Sequence, residues 1–215
     1  MNFMQAAAGN YKAGRADKIK YIVIHYTANN GDTAFGNAKY FHGTSNLQAS
    51  AHYFVDENEV WQAVKDGDTA FHCGAKQYKH PDCRNCNAIG VELCSRKNSN
   101  GRYYFKDATV QRAAALVQGL MAKYGINAAH VLRHYDVTGK NCPAPFVEDK
   151  AAWIKFLNIL QEGGEVEKQI KIKLNGVVKE VKAIEKDGYN YIKLQDLRDK
   201  KIQINFDKIP VITCQ

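Results

Sequence analysis

Two histidines, a cysteine, a glutamate and a lysine occupy positions in this chain that local structure alone does not explain. His25 follows the apolar run "YIVI", His134 follows "HVLR", and Cys142 comes eight positions later within "RHYDVTGKNCPAPF". A surface turn uses Gly, Asn and Pro for backbone reasons, but it has no such use for a thiol. Two imidazoles and a thiolate suit zinc, and three donors leave a fourth tetrahedral position for water, as catalytic rather than structural sites do. Glu92 sits between Val91 and Leu93 in "AIGVEL", where an unpaired buried charge is costly, and Lys140 stands two residues before the cysteine. Singly, each has a plainer reading: a strand-end histidine is commonly hydrogen-bonded at a surface, and a cysteine before proline commonly packs. Their joint occurrence favours the metal.

The elements that must position these groups are legible from periodicity. Tyr21 to Ile24 is β-branched and aromatic without alternation, the pattern of a strand covered on both faces, and His25 closes it. Asp32 is a candidate N-cap for a helix with Ala34, Ala38 and Phe41 on one side, stopped by Gly43. Ala51 to Val55 and Val60 to Val64 read as strands joined by a polar turn at Glu57 and Asn58. "NAIGVELCSR" is a further strand, carrying Glu92. From Asp107 to Tyr124 the stripe Val110, Ala114, Val117, Met121 predicts a helix terminated by Gly125. "HVLRH" reads as a short strand delivering His134, and Glu148 to Leu160 as a last amphipathic helix presenting Trp153, Phe156, Leu157 and Leu160.

Beyond it the pattern changes. Gly163 and Gly164 in "QEGGEVEK" suggest a linker, and the period then becomes two, with Ile170, Ile172 and Leu174 alternating with lysines before the hairpin signal Asn175-Gly176. "YNYIKL" and "KIQINF" look like further strands. The expected organisation is a catalytic domain over 1–160, a linker over 161–167 and a β-rich module over 168–215, small enough to be marginal alone.

Composition narrows the classes. At 215 residues, 45% hydrophobic and 24% charged, the chain has the balance of a folded protein with a real core. No segment approaches the roughly 18 unbroken apolar residues of a membrane span. The start, "MNFMQAAAGNYKAGRADKIK", lacks a basic stretch followed by an apolar run, so the expectation is synthesis in the cytoplasm without a secretory signal. A net charge of +8 suits a polyanion such as nucleic acid, an anionic membrane face or an anionic cell wall, but no helix-turn-helix or aromatic ribonucleoprotein motif accompanies it. Six cysteines without a signal argue for thiols or ligands rather than a disulfide framework. "CRNC", Cys83 to Cys86, with His80 upstream, is half of a zinc knuckle; packed thiols are the plainer reading.

Together "IVIHYTAN", "SAHYFVDENEVWQAV", "DTAFHCG", "IGVEL" and "RHYDVTGKNCP" resemble the zinc-dependent N-acetylmuramoyl-L-alanine amidases of the type 2 family. That family includes bacteriophage endolysins and is related to peptidoglycan-recognition proteins. The likeness runs from about Tyr11 to Leu160 in the family's usual motif order.

The resemblance implies an α/β fold with a mixed central β-sheet flanked by helices, plus the β-rich C-terminal module. It places zinc ligands at His25, His134 and Cys142, where some relatives carry Asp, and the acid/base glutamate at Glu92. It sets an oxyanion-facing lysine at Lys140, and makes His52 and His72 cleft residues that contact substrate or support the site. Some relatives use a tyrosine instead of the glutamate; here Ala51 stands where that tyrosine would align. Where relatives carry Trp-His, this chain has Phe71-His72. Asp136 is open to two roles, orienting a ligand or capping a helix. The implied function is hydrolysis of the bond between N-acetylmuramic acid and the L-alanine of the stem peptide, as an endolysin acting on the wall after release. Peptidoglycan is then the partner, with an anionic wall polymer or a second copy of the chain for the C-terminal module, and neither nucleic acid nor membrane. The alternative is a recognition protein that binds peptidoglycan without cleaving it.

Overall fold

The run "YIVIHY" needs no polar alternation because both of its faces are covered: Ile22, Val23 and Ile24 are each fully buried in the strand Tyr21–Tyr26. The computed structural model describes residues 1–161, 166–174, 177–186, 189–192, 197, 202–207 and 209–214. The central sheet comprises β1 (Asn2–Phe3), β2 (Tyr21–Tyr26), β3 (Tyr53–Val55), β4 (Val60–Gln62), β5 (Ala88–Leu93) and β6 (Val131–Arg133). The strand order is β1-β4-β3-β5-β2-β6, parallel at every step except the β3–β4 hairpin. The sheet is therefore mixed.

Register decides which residues share a face. Pairing His25 with Glu92, Val23 with Gly90, and Glu92 with Phe54 puts these side chains on one side. Ile22, Ile24, Ile89, Val91 and Leu93 face the other, against α2 (Asp107–Tyr124) and α5 (Lys150–Gln161). Fully buried Phe156 of α5, like each large side chain of this layer, contributes about 1.5–3 kcal/mol by leaving water. On the His25 side, α1 (Ala34–Gly43) packs Ala34 and Ala38 near Phe54 of β3. Helices thus cover both faces, and the site lies at the strand ends that α1 leaves open.

Several boundaries differ from the sequence reading. The α1 cap is Thr33, whose Oγ1 accepts from the Gly36 N–H at 3.0 Å, while Asp32 accepts from the side chain of Asn37 at 2.6 Å. Gly43 lies inside α1, which ends at Thr44. Strand β2 continues one residue past His25, and β3 and β4 are shorter than expected because the chain bends around His52. The stretch from Arg133 to Phe146 is mostly helical: α3 (His134–Thr138) and α4 (Ala144–Glu148) flank a short bend, so Glu148 belongs to α4 and α5 starts at Lys150. Helices of one turn are too short for hydrophobic periodicity to register.

The described contacts divide the chain into residues 1–161 and 162–215. In the second unit β7 (Val166–Leu174), β8 (Val177–Lys186) and β9 (Tyr189–Ile192) form an antiparallel sheet, and β10 (Ile202–Asp207) pairs with β11 (Ile209–Cys214). Of the expected linker, Gln161 ends α5 and Val166 opens β7; Gly163, Gly164 and the Asn175-Gly176 turn lie outside the described residues. Among the described residues no helix is long and apolar enough to cross a membrane.

Candidate metal centre and active site

Each candidate ligand is delivered by a different element. His25 projects from β2 beside Glu92 of β5, and His134 is the first residue of α3, directly after β6, which pairs with β2. Cys142 comes from the bend after α3. That bend turns at Gly139, whose φ of +84° suits a residue without Cβ, and it is tied back by the Tyr135 N–H donating to the Cys142 carbonyl at 2.7 Å. Arg133 braces the bend from below: it pairs with Asp136 at 2.8 Å and donates to the Phe146 carbonyl at 3.0 Å. Asp136 also accepts from the Arg133 backbone N–H at 2.9 Å, which is a capping contact on α3.

The donor atoms of His25, His134 and Cys142 all lie within 4.8 Å of one another, the only such group among the described residues. Cys142 Sγ is 3.7 Å from His25 Nδ1. All three residues are buried, and His134 Nδ1 has no hydrogen-bond partner. Burial, then the charges of His134 and His72, hold His25 well below the usual imidazole range. Burial, then Lys140, brings His134 down to about 4. Both rings are therefore neutral, the form that a cation accepts. Burial, then Glu92, pushes the Cys142 thiol up to about 12, a proton that only a strong local positive charge would remove at neutral pH. This donor set fits zinc: two neutral imidazoles and a thiol, close-packed, with His134 Nδ1 buried and unpartnered.

Glu92 lines the same cleft of about 750 Å³ as the three ligands, Lys140 and His72. One of its oxygens, Oε2, is shut off from solvent without a hydrogen bond. Burial raises its carboxyl to about 8; Lys140 opposes the shift and Asp32 adds to it. A carboxyl poised near neutrality, in a cleft, facing a metal-competent group, has the properties of a proton-transfer residue. Lys140 is exposed at the rim. On the far side of His72 and His134 the cleft continues into a hollow lined by Gln48, Phe71 and Asn85. A separate hollow of about 850 Å³ between α2 and α5 carries none of these groups.

His72 is half-buried, with Nδ1 3.0 Å from His25 Nε2. His52, expected to line the cleft with it, is fully buried behind it. Its Nδ1 accepts from the Gly90 N–H at 3.0 Å, and its Nε2 lies 3.2 Å from the Asp68 carbonyl oxygen. Its ring is thus tied to the backbone of β5 and of the Asp68 turn. His80 is not poised for metal: its Nδ1 accepts from the N–H groups of Asp82 and Cys83, and buried Cys83 packs with Cys73. Arg15 was not singled out by sequence. Its guanidinium donates to the carbonyls of Asn85, Cys86 and Ala88 at 3.0–3.3 Å, fastening the approach to β5, and nothing in "NYKAGRADK" signals that role.

Residues 15–145 match the family profile of N-acetylmuramoyl-L-alanine amidase. The chain belongs to this family. Among curated amidases it is similar to CwlL of Bacillus licheniformis, 37% identical over 147 residues, covering 64% of this chain and 39% of that protein. It is also similar to BlyA of Bacillus subtilis, 34% identical over 153 residues, covering 65% of this chain and 40% of that one. The chain therefore spans about two fifths of the length of these relatives. Among solved structures, the catalytic domain of XlyA matches with a TM-score of 0.60 at 27% identity, covering 74% of this chain and 99% of that one. A mutant endolysin from Bacillus subtilis matches at 0.59 and 29%, covering the same shares. These amidase structures share the mixed sheet with flanking helices.

Proposed function

We propose that this protein is a zinc-dependent amide hydrolase that cuts peptidoglycan between the lactyl group of N-acetylmuramic acid and the L-alanine of the stem peptide, as an endolysin does. The observation that carries this reading is the convergence of His25, His134 and Cys142 in one cleft with Glu92. One zinc ion held by those three residues would supply Lewis acidity, lowering the pKa of water and polarising the scissile carbonyl. Glu92 takes the proton of the attacking water and returns it to the departing amine, without which nitrogen leaves poorly. The Lys140 ammonium, at the rim of the same cleft, stabilises the oxyanion of the tetrahedral intermediate. A receptor that only binds peptidoglycan would need neither the buried carboxyl nor the three-donor cluster.

Mass spectrometry of purified walls digested by the full chain tests the bond assignment. New L-alanine amino termini, lost on chelation, are expected; new reducing sugars would identify a glycosidase instead. For the second unit we propose wall binding; its 11 Lys and Arg against 9 Asp and Glu leave it slightly positive, the sign that favours an anionic polymer. Removing residues 165–215 is then expected to lower retention on insoluble walls while sedimentation mass per chain stays monomeric or unchanged. Halved oligomer mass with retention intact would assign the unit to self-association.

A further inference from the structure

We infer that His72 is the positioning residue of the metal centre, holding His25 in the orientation and tautomer a cation requires, and that Gly90 lacks a side chain so that His72 can lie where it does. The inference rests on the zinc reading above. His25 offers two ring nitrogens. Nδ1 faces Cys142 Sγ at 3.7 Å, and Nε2 faces His72 Nδ1 at 3.0 Å. An imidazole that gives its Nδ1 lone pair to a cation carries its proton on Nε2, so His25 donates and His72 accepts. Metal-bound histidines regularly hand their second N–H to a fixed acceptor; here a neutral imidazole takes the place of the usual carboxylate or carbonyl.

The seat of that imidazole is built by backbone. A Cβ on Gly90 would stand 2.6 Å from His72 Cγ, 2.8 Å from Nδ1 and 2.9 Å from Cδ2, so the ring lies directly on the bare backbone of β5. Gly90 is itself gripped from behind: His52 Nδ1 accepts its N–H at 3.0 Å, and its carbonyl accepts from the His52 N–H at 3.0 Å. Asn85 Oδ1 accepts from the N–H groups of His72 and Cys73 at 3.1 and 2.8 Å, fixing the chain that carries the ring. His72 is thus clamped through its own backbone and through the glycine beneath it.

The test is the zinc dissociation constant of the full chain, measured by competition with a chromophoric chelator, alongside the visible spectrum of the Co²⁺-substituted protein. His72→Phe keeps a ring and removes the acceptor, and is expected to weaken zinc by about 10–100-fold with a shifted cobalt spectrum. His72→Asn places Oδ1 where Nδ1 stood and is expected to recover most of that loss. Gly90→Ala is expected to match His72→Phe, yet to add nothing in a His72→Ala background, since the two act through one contact. Unchanged zinc affinity in His72→Phe, with only KM raised, would overturn the inference in favour of substrate contact. Equal weakening in His72→Asn and His72→Phe would overturn it in favour of space-filling. The His72 pair carries the test if Gly90→Ala does not fold. Wild-type chain that takes up no zinc would overturn the metal reading itself, a result distinct from tight wild-type binding with unaffected variants.

Discussion

Glu92→Gln is expected to lower the turnover of wall hydrolysis by about 10²–10⁴-fold while zinc uptake and fold are retained. Gln keeps the volume of Glu and cannot accept a proton from water or pass one to the amine. The substitution also removes a titration. In the metal-free protein burial raises Glu92 to about 8 from the ordinary carboxyl value of 4.5, so the folded state keeps a proton that the unfolded chain has lost between those pH values. The folded state binds more protons there, so its stability declines as pH rises through that window and the full penalty applies above it. Metal-free wild type should therefore lose, relative to Glu92→Gln, on the order of a few kcal/mol between about pH 5 and pH 9. Urea unfolding of both chelated proteins across pH measures it; parallel curves would show that Glu92 is not the buried, neutral carboxyl described above.

Cys142→Ala is expected to weaken zinc binding by more than about 100-fold and to abolish hydrolysis with it, because one of three donors is removed. The chain should still fold, since the cysteine fills a small site at a bend held by Arg133 and Asp136. Thermal unfolding distinguishes this from a general loss of structure. Zinc bound to the native state raises the midpoint in proportion to RT ln(1 + [Zn]/Kd), so added zinc should raise the wild-type melting temperature and leave the variant's unmoved. The raised thiol pKa adds a second signature. The thiol must lose a proton on metal uptake, so wild-type affinity should fall as pH falls, and a variant lacking the thiol should show a shallower dependence. A zinc-induced shift that is the same in both proteins would place the ion elsewhere.

The parts of this architecture that sequence reveals are those with a long or strict pattern. Strand β2 declares itself by an unbroken apolar run, and α2 by its stripe and by Gly125 as terminator. Cys142 and Glu92 are visible because a thiol and a carboxylate are out of place in a turn and an apolar strand. What brings His25, His52, His72 and Gly90 together is parallel register and a loop fold-back, neither of which leaves a periodic trace. Gly90 did carry a signal: an isolated glycine inside a strand pattern marks close approach of another group. Arg15 carried none, because its contacts, the backbone carbonyls of Asn85, Cys86 and Ala88 and the His52 ring nitrogen 2.6 Å away, all lie far off in the chain and leave no local pattern. Of the two roles open to His52, contacting substrate or supporting the site, its complete burial favours support; motif proximity does not report depth.

The central claim is that His25, His134 and Cys142 hold one ion together. Zinc K-edge absorption of the full chain loaded with one equivalent of zinc tests it most directly. The predicted shell contains one sulfur at about 2.3 Å with nitrogen and oxygen at about 2.0–2.1 Å, and the sulfur disappears in Cys142→Ala. A shell without sulfur, or one with several sulfurs that survives Cys142→Ala, would contradict it.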